Sequence, residues 1–225
     1  MEIKLKCTYE KWRKTKMIDE IRKVGIVPVV VIDDAKDALP LAKALIDGGI
    51  NCAEVTFRTA AAKDAIKIIS EAYPNMLVGA GTVLTKEQVD DAVMAGAKFL
   101  VSPGLNPRTV QYAMDKGVTM IPGVCTPSDI ERGLELGLKV MKFFPAEPSG
   151  GITMIKALAA PYTDVLFMPT GGISKDNIEK YLEFNRVIAC GGSWMVSKDM
   201  IKSGDFARIT ELSREAMDIV RKVRG

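Results

Sequence analysis

The sequence predicts a (β/α)8 TIM barrel, an α/β fold of eight parallel strands, behind an N-terminal leading helix. Three observations carry that expectation. Short β-branched runs recur roughly every 20–25 residues along the 225-residue chain, each followed by a loop with Gly, Thr or Ser and then a helical stretch. Alternating strand and helix imply a parallel sheet. Eight such units in about 200 residues match a compact closed barrel. The rival is a doubly wound open sheet, which would show a GxGxxG turn after its first strand. Here that segment reads Asp33-Asp34-Ala35-Lys36. No interdomain linker interrupts the pattern, so residues 1–225 are expected to form a single barrel domain, with 1–24 as N-terminal extension and leading helix.

The elements follow in order. Residues 9–24 read as a polar, amphipathic leading helix. Strands are expected at 26–32, 52–57, 77–80, 99–102, 119–122, 140–144, 165–169 and 187–190. Helices are expected at 35–46, 60–72, 86–95, 107–116, 127–136, 152–159 and 175–184, with a long closing helix over 206–223. In the second of these, Ala62, Ile66, Ile69 and Ala72 share one face at spacings of three and four. Helix starts carry caps: Asp34 before Ala35, Thr85 with Gln88, and Ser174 with Asn177. Helix ends carry glycine at Gly48-Gly49, Gly96, Gly117 and Gly137.

Composition bounds the chemistry. Hydrophobic residues make up 48% and charged residues 26%, an ordinary globular balance that excludes disorder. A domain of this size buries roughly 70% of its unfolded surface and needs no disulfide or metal staple. The net charge of +3 is too small for a nucleic-acid footprint. The histidine count is 0, which excludes Ser-His-Asp and Cys-His nucleophile systems and any histidine-ligated metal. Cys7, Cys52, Cys125 and Cys190 lie far apart, so they read as reduced thiols of a cytoplasmic protein rather than a zinc or redox motif. The charged N-terminus lacks the apolar core of a signal peptide, and the longest aliphatic run, 26–32, is too short to span a bilayer.

In a barrel, reactive groups gather at the C-terminal strand ends, so polar residues within apolar runs mark the site. Strand two reads Glu54-Val55-Thr56-Phe57-Arg58, which puts Glu54, Thr56 and Arg58 on one face. A carboxylate inside a β-run costs several kcal/mol unless partnered. Arg58 is the natural partner, and it is also a bidentate clamp for a substrate carboxylate. The plainer reading is a structural ion pair at the strand end. Strand six reads Val140-Met141-Lys142-Phe143-Phe144-Pro145, with Lys142 its lone charge. Burial disfavours an ammonium, and the neutral amine is the nucleophile that forms an imine with a ketone. Phe144 shares its face and supplies an apolar wall. An outward Lys142 snorkelling to water is the alternative. Without histidine, a Lys–Glu pair is the most economical catalytic set in the chain.

Two glycine pairs, Gly171-Gly172 after Thr170 and Gly191-Gly192 before Ser193, follow strands seven and eight. Loops at those places recurrently hold phosphate in barrels, because glycine lets backbone N–H groups approach an anion closely. Each pair alone reads equally as a tight turn. Thr82, after Gly81, is a hydrogen-bond donor for a carboxylate or oxyanion, or else the start of a helix cap. Pro103 stands at the pocket rim. Cys52 and Cys190 read as buried small hydrophobes.

Taken together, Glu54-Val55-Thr56-Phe57-Arg58-Thr59, Gly79-Ala80-Gly81-Thr82-Val83, Ser102-Pro103-Gly104, Lys142-Phe143-Phe144-Pro145-Ala146-Glu147, Pro169-Thr170-Gly171-Gly172-Ile173 and Gly191-Gly192-Ser193-Trp194 closely resemble the class I aldolases of 2-keto-3-deoxy-6-phosphogluconate (KDPG) and 4-hydroxy-2-oxoglutarate (KHG). The resemblance runs in order from about residue 20 to the C-terminus. It implies a homotrimeric barrel that cleaves a 2-keto-4-hydroxy acid to pyruvate and an aldehyde, without cofactor or metal. By motif it makes Lys142 the Schiff-base lysine and Glu54 the general acid/base. Arg58 and Thr82 would hold the pyruvate carboxylate. Phe144 and Pro103 would line the pocket. Gly171, Gly172 and Ser193, with Thr170 beside them, would bind phosphate. Some members carry Arg at the end of the first strand, where Val31 stands here. Phosphate is therefore expected to rest on backbone N–H groups and Ser193, without a strong cationic clamp.

Two other readings compete at this point. One is another phosphate-binding barrel, an isomerase or synthase in which Lys142 is only an electrostatic group. The other is a non-catalytic barrel acting as scaffold or binding protein.

Overall fold

The structure is a computed structural model that describes residues 16–225. A leading helix α1 occupies 16–24. It is followed by β1 (Ile26–Val30), α2 (Ala38–Asp47), β2 (Cys52–Thr56), α3 (Ala62–Ala72), β3 (Leu77–Gly81), α4 (Lys86–Met94), β4 (Phe99–Val101) and α5 (Pro107–Asp115). The second half contains β5 (Thr119–Ile121), β6 (Gly123–Val124), α6 (Pro127–Glu135), β7 (Val140–Phe143), α7 (Gly151–Ala159), β8 (Leu166–Pro169), α8 (Ile178–Leu182), β9 (Cys190–Gly192), α9 (Lys198–Ser203) and α10 (Phe206–Arg224). The expected part of the leading helix at 9–15 lies outside the described residues.

All strand pairs are parallel, in two runs ordered β5-β4-β3-β2-β1-β9 and β6-β7-β8. Two features join the runs into one barrel. Pro122 separates β5 from β6 because it has no N–H for the ladder, yet its carbonyl still accepts from Lys142 N at 2.8 Å. On the other side, Thr170 bridges Gly191 and so ties β8 to β9. Strands β1, β2 and β3 are buried along their whole length, as expected for a sheet covered by helices on one side and filled by side chains on the other. Below the strands, half-buried Arg224 of α10 donates to the carbonyls of Ile188 at 2.6 Å, Val187 at 2.7 Å and Arg22 at 3.3 Å, closing the end opposite the site.

Several expected boundaries shift, each for a local reason. The first strand stops at Val30 rather than residue 32, and the helix after it opens with a 3-10 turn, Ala35–Asp37, capped by Asp34. Thr85 caps α4 as expected, and α5 and α6 start at the expected residues 107 and 127, held by two caps the sequence reading did not name: Asn106, and the capping box of Thr126 with Asp129. In α3 the buried face is Ala62, Ala65, Ile66 and Ile69; Ala72 is exposed at its end. The expected helix at 175–184 shortens to α8 because Ser174 and Asn177 shape the preceding loop. The expected strand at 187–190 moves to Cys190–Gly192, so Gly191 and Gly192 form a strand, not a turn. Thr170 and the Trp194 ring occupy the space where Cβ atoms on those glycines would stand. Helix α9 was not anticipated.

Candidate active site

The barrel interior holds one buried ion pair. Register places Glu54 beside Val29 of β1 and Gly79 of β3, and Lys142 beside Gly123 of β6 and Met168 of β8. The two side chains meet across the interior, with Lys142 Nζ donating to Glu54 Oε1 at 3.5 Å. Both are nearly inaccessible, at 6% and 1% side-chain exposure. Lys142 therefore points inward, and the snorkelling alternative falls. Glycine makes the room: a Cβ on Gly81 would overlap the Glu54 carboxylate, and one on Gly79 would overlap the Phe99 ring. Glu54 Oε2 makes no hydrogen bond among the described residues. A buried carboxylate oxygen left without a donor is costly, so this atom is aimed at something that arrives.

Arg58 is not the partner of Glu54, contrary to expectation. The strand ends at Thr56, whose hydroxyl donates to Val30 O at 2.8 Å, and Arg58 N turns back to Thr56 O at 2.7 Å. This tight turn takes Arg58 out of the strand's alternation and into the wall of an open cavity of about 420 Å³. That cavity gathers Arg58, Phe144, Thr170, Gly171, Gly172 and Ser193 from four strand ends. Phe144 links cavity to ion pair, since Lys142 Nζ lies 5.1 Å from its ring centroid. Thr170 is buried and its hydroxyl has no partner among the described residues.

The Gly171-Gly172 turn is held from beneath. Both residues are left-handed, at φ 100° and 80°, which glycine adopts without strain. The loop after β7 supports them: Ala146 N donates to Thr170 O at 2.8 Å and Glu147 N to Gly171 O at 3.0 Å. Asn177 Nδ2 donates to Gly172 O at 2.8 Å. The Tyr181 hydroxyl donates to Glu147, whose carboxyl it holds below the ordinary range, while burial and that same contact push the Tyr181 phenol up. The Gly171 N–H faces Gly191 O in the bridge between β8 and β9, whereas the N–H groups of Gly172 and Ser193 donate to no acceptor among the described residues.

Thr82 and Pro103 stand apart from this cavity. Pro103 lines a neighbouring depression of about 370 Å³ with Val83, Leu84 and Thr109. Among the described residues Thr82 is the non-glycine residue at positive φ, 57°, half-buried one residue beyond Gly81. Helix α4 is capped by Thr85, so Thr82 is not spent on capping. Thr82 thus carries backbone strain without a capping role, which makes it a candidate site residue. Sequence reading missed Trp194, Val196 and Lys198 in the cavity wall. Lys198 belongs to the unanticipated α9, and no linear pattern connects it with Arg58. Cys52 and Cys190 are free and buried, and burial pushes the Cys190 thiol up to about 12.

A parallel barrel with an inward Lys–Glu pair beneath an open, cation-bearing mouth defines a class: barrels equipped for amine–carbonyl chemistry. Comparison with known proteins narrows it. The family model for KDPG and KHG aldolase matches residues 17–212, and the chain belongs to that family. It is 51% identical over 204 residues to the 2-dehydro-3-deoxy-phosphogluconate aldolase of Treponema pallidum (strain Nichols), covering 91% of this chain and 97% of that one. It is 45% identical over 193 residues to the KHG/KDPG aldolase of Escherichia coli (strain K12), covering 86% and 91%. Its fold matches a Legionella pneumophila KDPG aldolase, captured with pyruvate as a covalent carbinolamine intermediate, at a TM-score of 0.85 and 41% identity over 88% of this chain and 96% of that one.

Proposed function

We propose that this chain is a lyase that reversibly cleaves 2-keto-4-hydroxy acids, KDPG to pyruvate and glyceraldehyde 3-phosphate and KHG to pyruvate and glyoxylate, through a Schiff base on Lys142. The observation that carries the reading is the buried Lys142–Glu54 contact at 3.5 Å, with Glu54 Oε2 uncommitted beside it. Lys142 gives its ammonium proton to Glu54 and adds as the amine to the C2 ketone to form a carbinolamine; Glu54 returns the proton as water leaves, and the protonated imine forms. The imine accepts the electron pair of the C3–C4 bond when Glu54, directly or through water, takes the C4 hydroxyl proton. The aldehyde leaves. The resulting enamine is protonated at C3, and water releases pyruvate and regenerates Lys142. No cofactor or metal enters this scheme.

The remaining roles follow the cavity. Arg58 holds the C1 carboxylate, with Thr82 as a further donor on the Glu54 side. Phe144 and Pro103 supply apolar wall. Thr170, Ser193, the Gly171-Gly172 turn and the free Gly172 N–H receive the far end of the substrate. We read the whole chain as one barrel domain preceded by residues 1–24, assembled as a homotrimer and working in the cytoplasm. Two observations support that location: among the described residues no helix is long and apolar enough to cross a membrane, and the described cysteines are free.

Borohydride reduction in the presence of pyruvate tests the proposal. It should add a reduced pyruvate adduct to Lys142, read by peptide mass, and coupled assays should detect pyruvate from both KDPG and KHG. Absence of the adduct, or an adduct elsewhere, would return the chain to the isomerase-like or scaffold reading.

A further inference from the structure

Among the described residues the cavity wall contains two charged side chains, Arg58 and Lys198, and no carboxylate. Arg58 comes from the loop after β2 and makes no ion pair among the described residues. Lys198 enters from another direction. After β9 the chain turns at Ser193, with Val196 N donating to Ser193 O at 3.1 Å, and Ser197 caps α9 by accepting from Met200 N. This turn sets Lys198 in the same wall as Ser193 and Val31. Lys198 also faces outward, into a smaller recess of about 230 Å³ lined by Asp33, Asp34, Asp37 and Lys202. Its ammonium lies 2.9 Å from Asp33, and both side chains are about half exposed, at 54% and 50%.

We infer that Lys198 is the cation that selects the phosphorylated substrate, exchanging Asp33 for the substrate's phosphate. The inference rests on the aldolase reading above and assigns the distal end of that site. It departs from the expectation, drawn from Val31, that phosphate rests on backbone N–H groups and Ser193 without a strong cationic clamp. An exposed ion pair contributes little to stability, so releasing Asp33 is cheap. A phosphate dianion offers more charge than one carboxylate and reaches three acceptor oxygens toward Lys198, Ser193 and the free Gly172 N–H. Chain length supplies the discrimination. In KDPG two carbons and an ester oxygen separate C4 from phosphorus. In KHG the second carboxylate is bonded to C4 itself, so with C2 fixed on Lys142 it stops short of α9. Asp33, standing outside the cavity, competes with phosphate for the same ammonium and so sets how strongly the longer substrate is preferred.

The test measures kcat/KM for KDPG and KHG in the full chain and in Lys198→Gln and Asp33→Asn. In Lys198→Gln the KDPG value should fall roughly 5- to 30-fold, chiefly through KM, with a much smaller loss on KHG. Its KDPG KM should also depend less on salt. Asp33→Asn should raise the KDPG/KHG ratio by about 2- to 5-fold. Equal losses on both substrates in Lys198→Gln, or no loss, would overturn the assignment. A ratio that falls in Asp33→Asn would overturn the exchange, making Asp33 a brace for Lys198. Failure of the wild-type chain to cleave either substrate would instead remove the aldolase reading itself.

Discussion

The floor and the rim of this site are built on opposite principles. The floor is two ionisable side chains on strands, almost wholly buried, facing each other where glycines at 79 and 81 clear the space. The rim is mostly backbone and exposed side chains: Gly171, Gly172 and Ser193 on loops, with Arg58 and Lys198 reaching in from outside. The difference separates chemistry from recognition. In the low-dielectric floor, each partner depends on the other and small changes have large effects. At the wet rim, several weak donors share one anion, so each can be lost at modest cost.

The largest effect should come from Lys142→Ala. Cleavage of both substrates should vanish, together with pyruvate trapping at residue 142. The variant should also melt lower, because Glu54 is left buried and unpaired; breaking such a pair costs about 3–5 kcal/mol. Adding Glu54→Gln to Lys142→Ala should recover part of the melting temperature. If it does not, the two side chains are not energetically coupled and the contrast between floor and rim weakens.

Next in size is Glu54→Gln alone, which should reduce kcat by roughly 10²–10⁴-fold, the span of a general acid–base group. Gln keeps the shape that Gly81 accommodates. A drop in melting temperature with undiminished kcat would reduce Glu54 to a structural counter-ion for Lys142.

Ser193→Ala touches only the rim. It should lower kcat/KM for KDPG by about 2- to 10-fold, the equivalent of one hydrogen bond, and should affect KHG less. Matching losses on the two substrates would remove Ser193 from the phosphate end.

Tyr181→Phe acts beneath the rim and should have the smallest effect. The Tyr181 hydroxyl holds the Glu147 carboxyl below its ordinary range. The resulting stability is complete above the unfolded carboxylate value and is lost as pH falls through the folded one. At neutral pH the variant should melt about 2–4 °C lower, the shift expected for roughly 1 kcal/mol in a chain of this length. Thermal melts at stepped pH should show that gap closing under acid. A constant gap would mean that the hydroxyl packs rather than donates.

Much of the floor is legible in the amino-acid sequence. A lone Lys142 in an apolar run and a Glu54 in another are conspicuous because burying a charge is expensive, and a strand's alternation says which neighbours share its face. The same rule misleads at Arg58. Alternation assumes that the strand continues, and here it ends at Thr56, so the partner of Glu54 comes from β7 and not from its own strand. Gly191-Gly192 misleads in a similar way. Glycine pairs usually signal turns, but here the Thr170 side chain and the Trp194 ring fill the space where their Cβ atoms would stand, and the chain stays extended.

Hydrophobic period, capping and the cost of a buried charge are local properties of the chain; they suffice for the parallel α/β barrel and the order of its elements apart from α9, and they single out Lys142 and Glu54 as charges within apolar runs. Which of those residues meet is a matter of tertiary structure. Glu54 and Lys142 are 88 residues apart in sequence and touch only because the barrel curls β2 and β7 toward one interior. Lys198 reaches the same cavity as Arg58 only because the turn after β9 brings the start of α9 to the cavity wall. Contacts of that kind depend on closure of the whole barrel, and no window of sequence contains them.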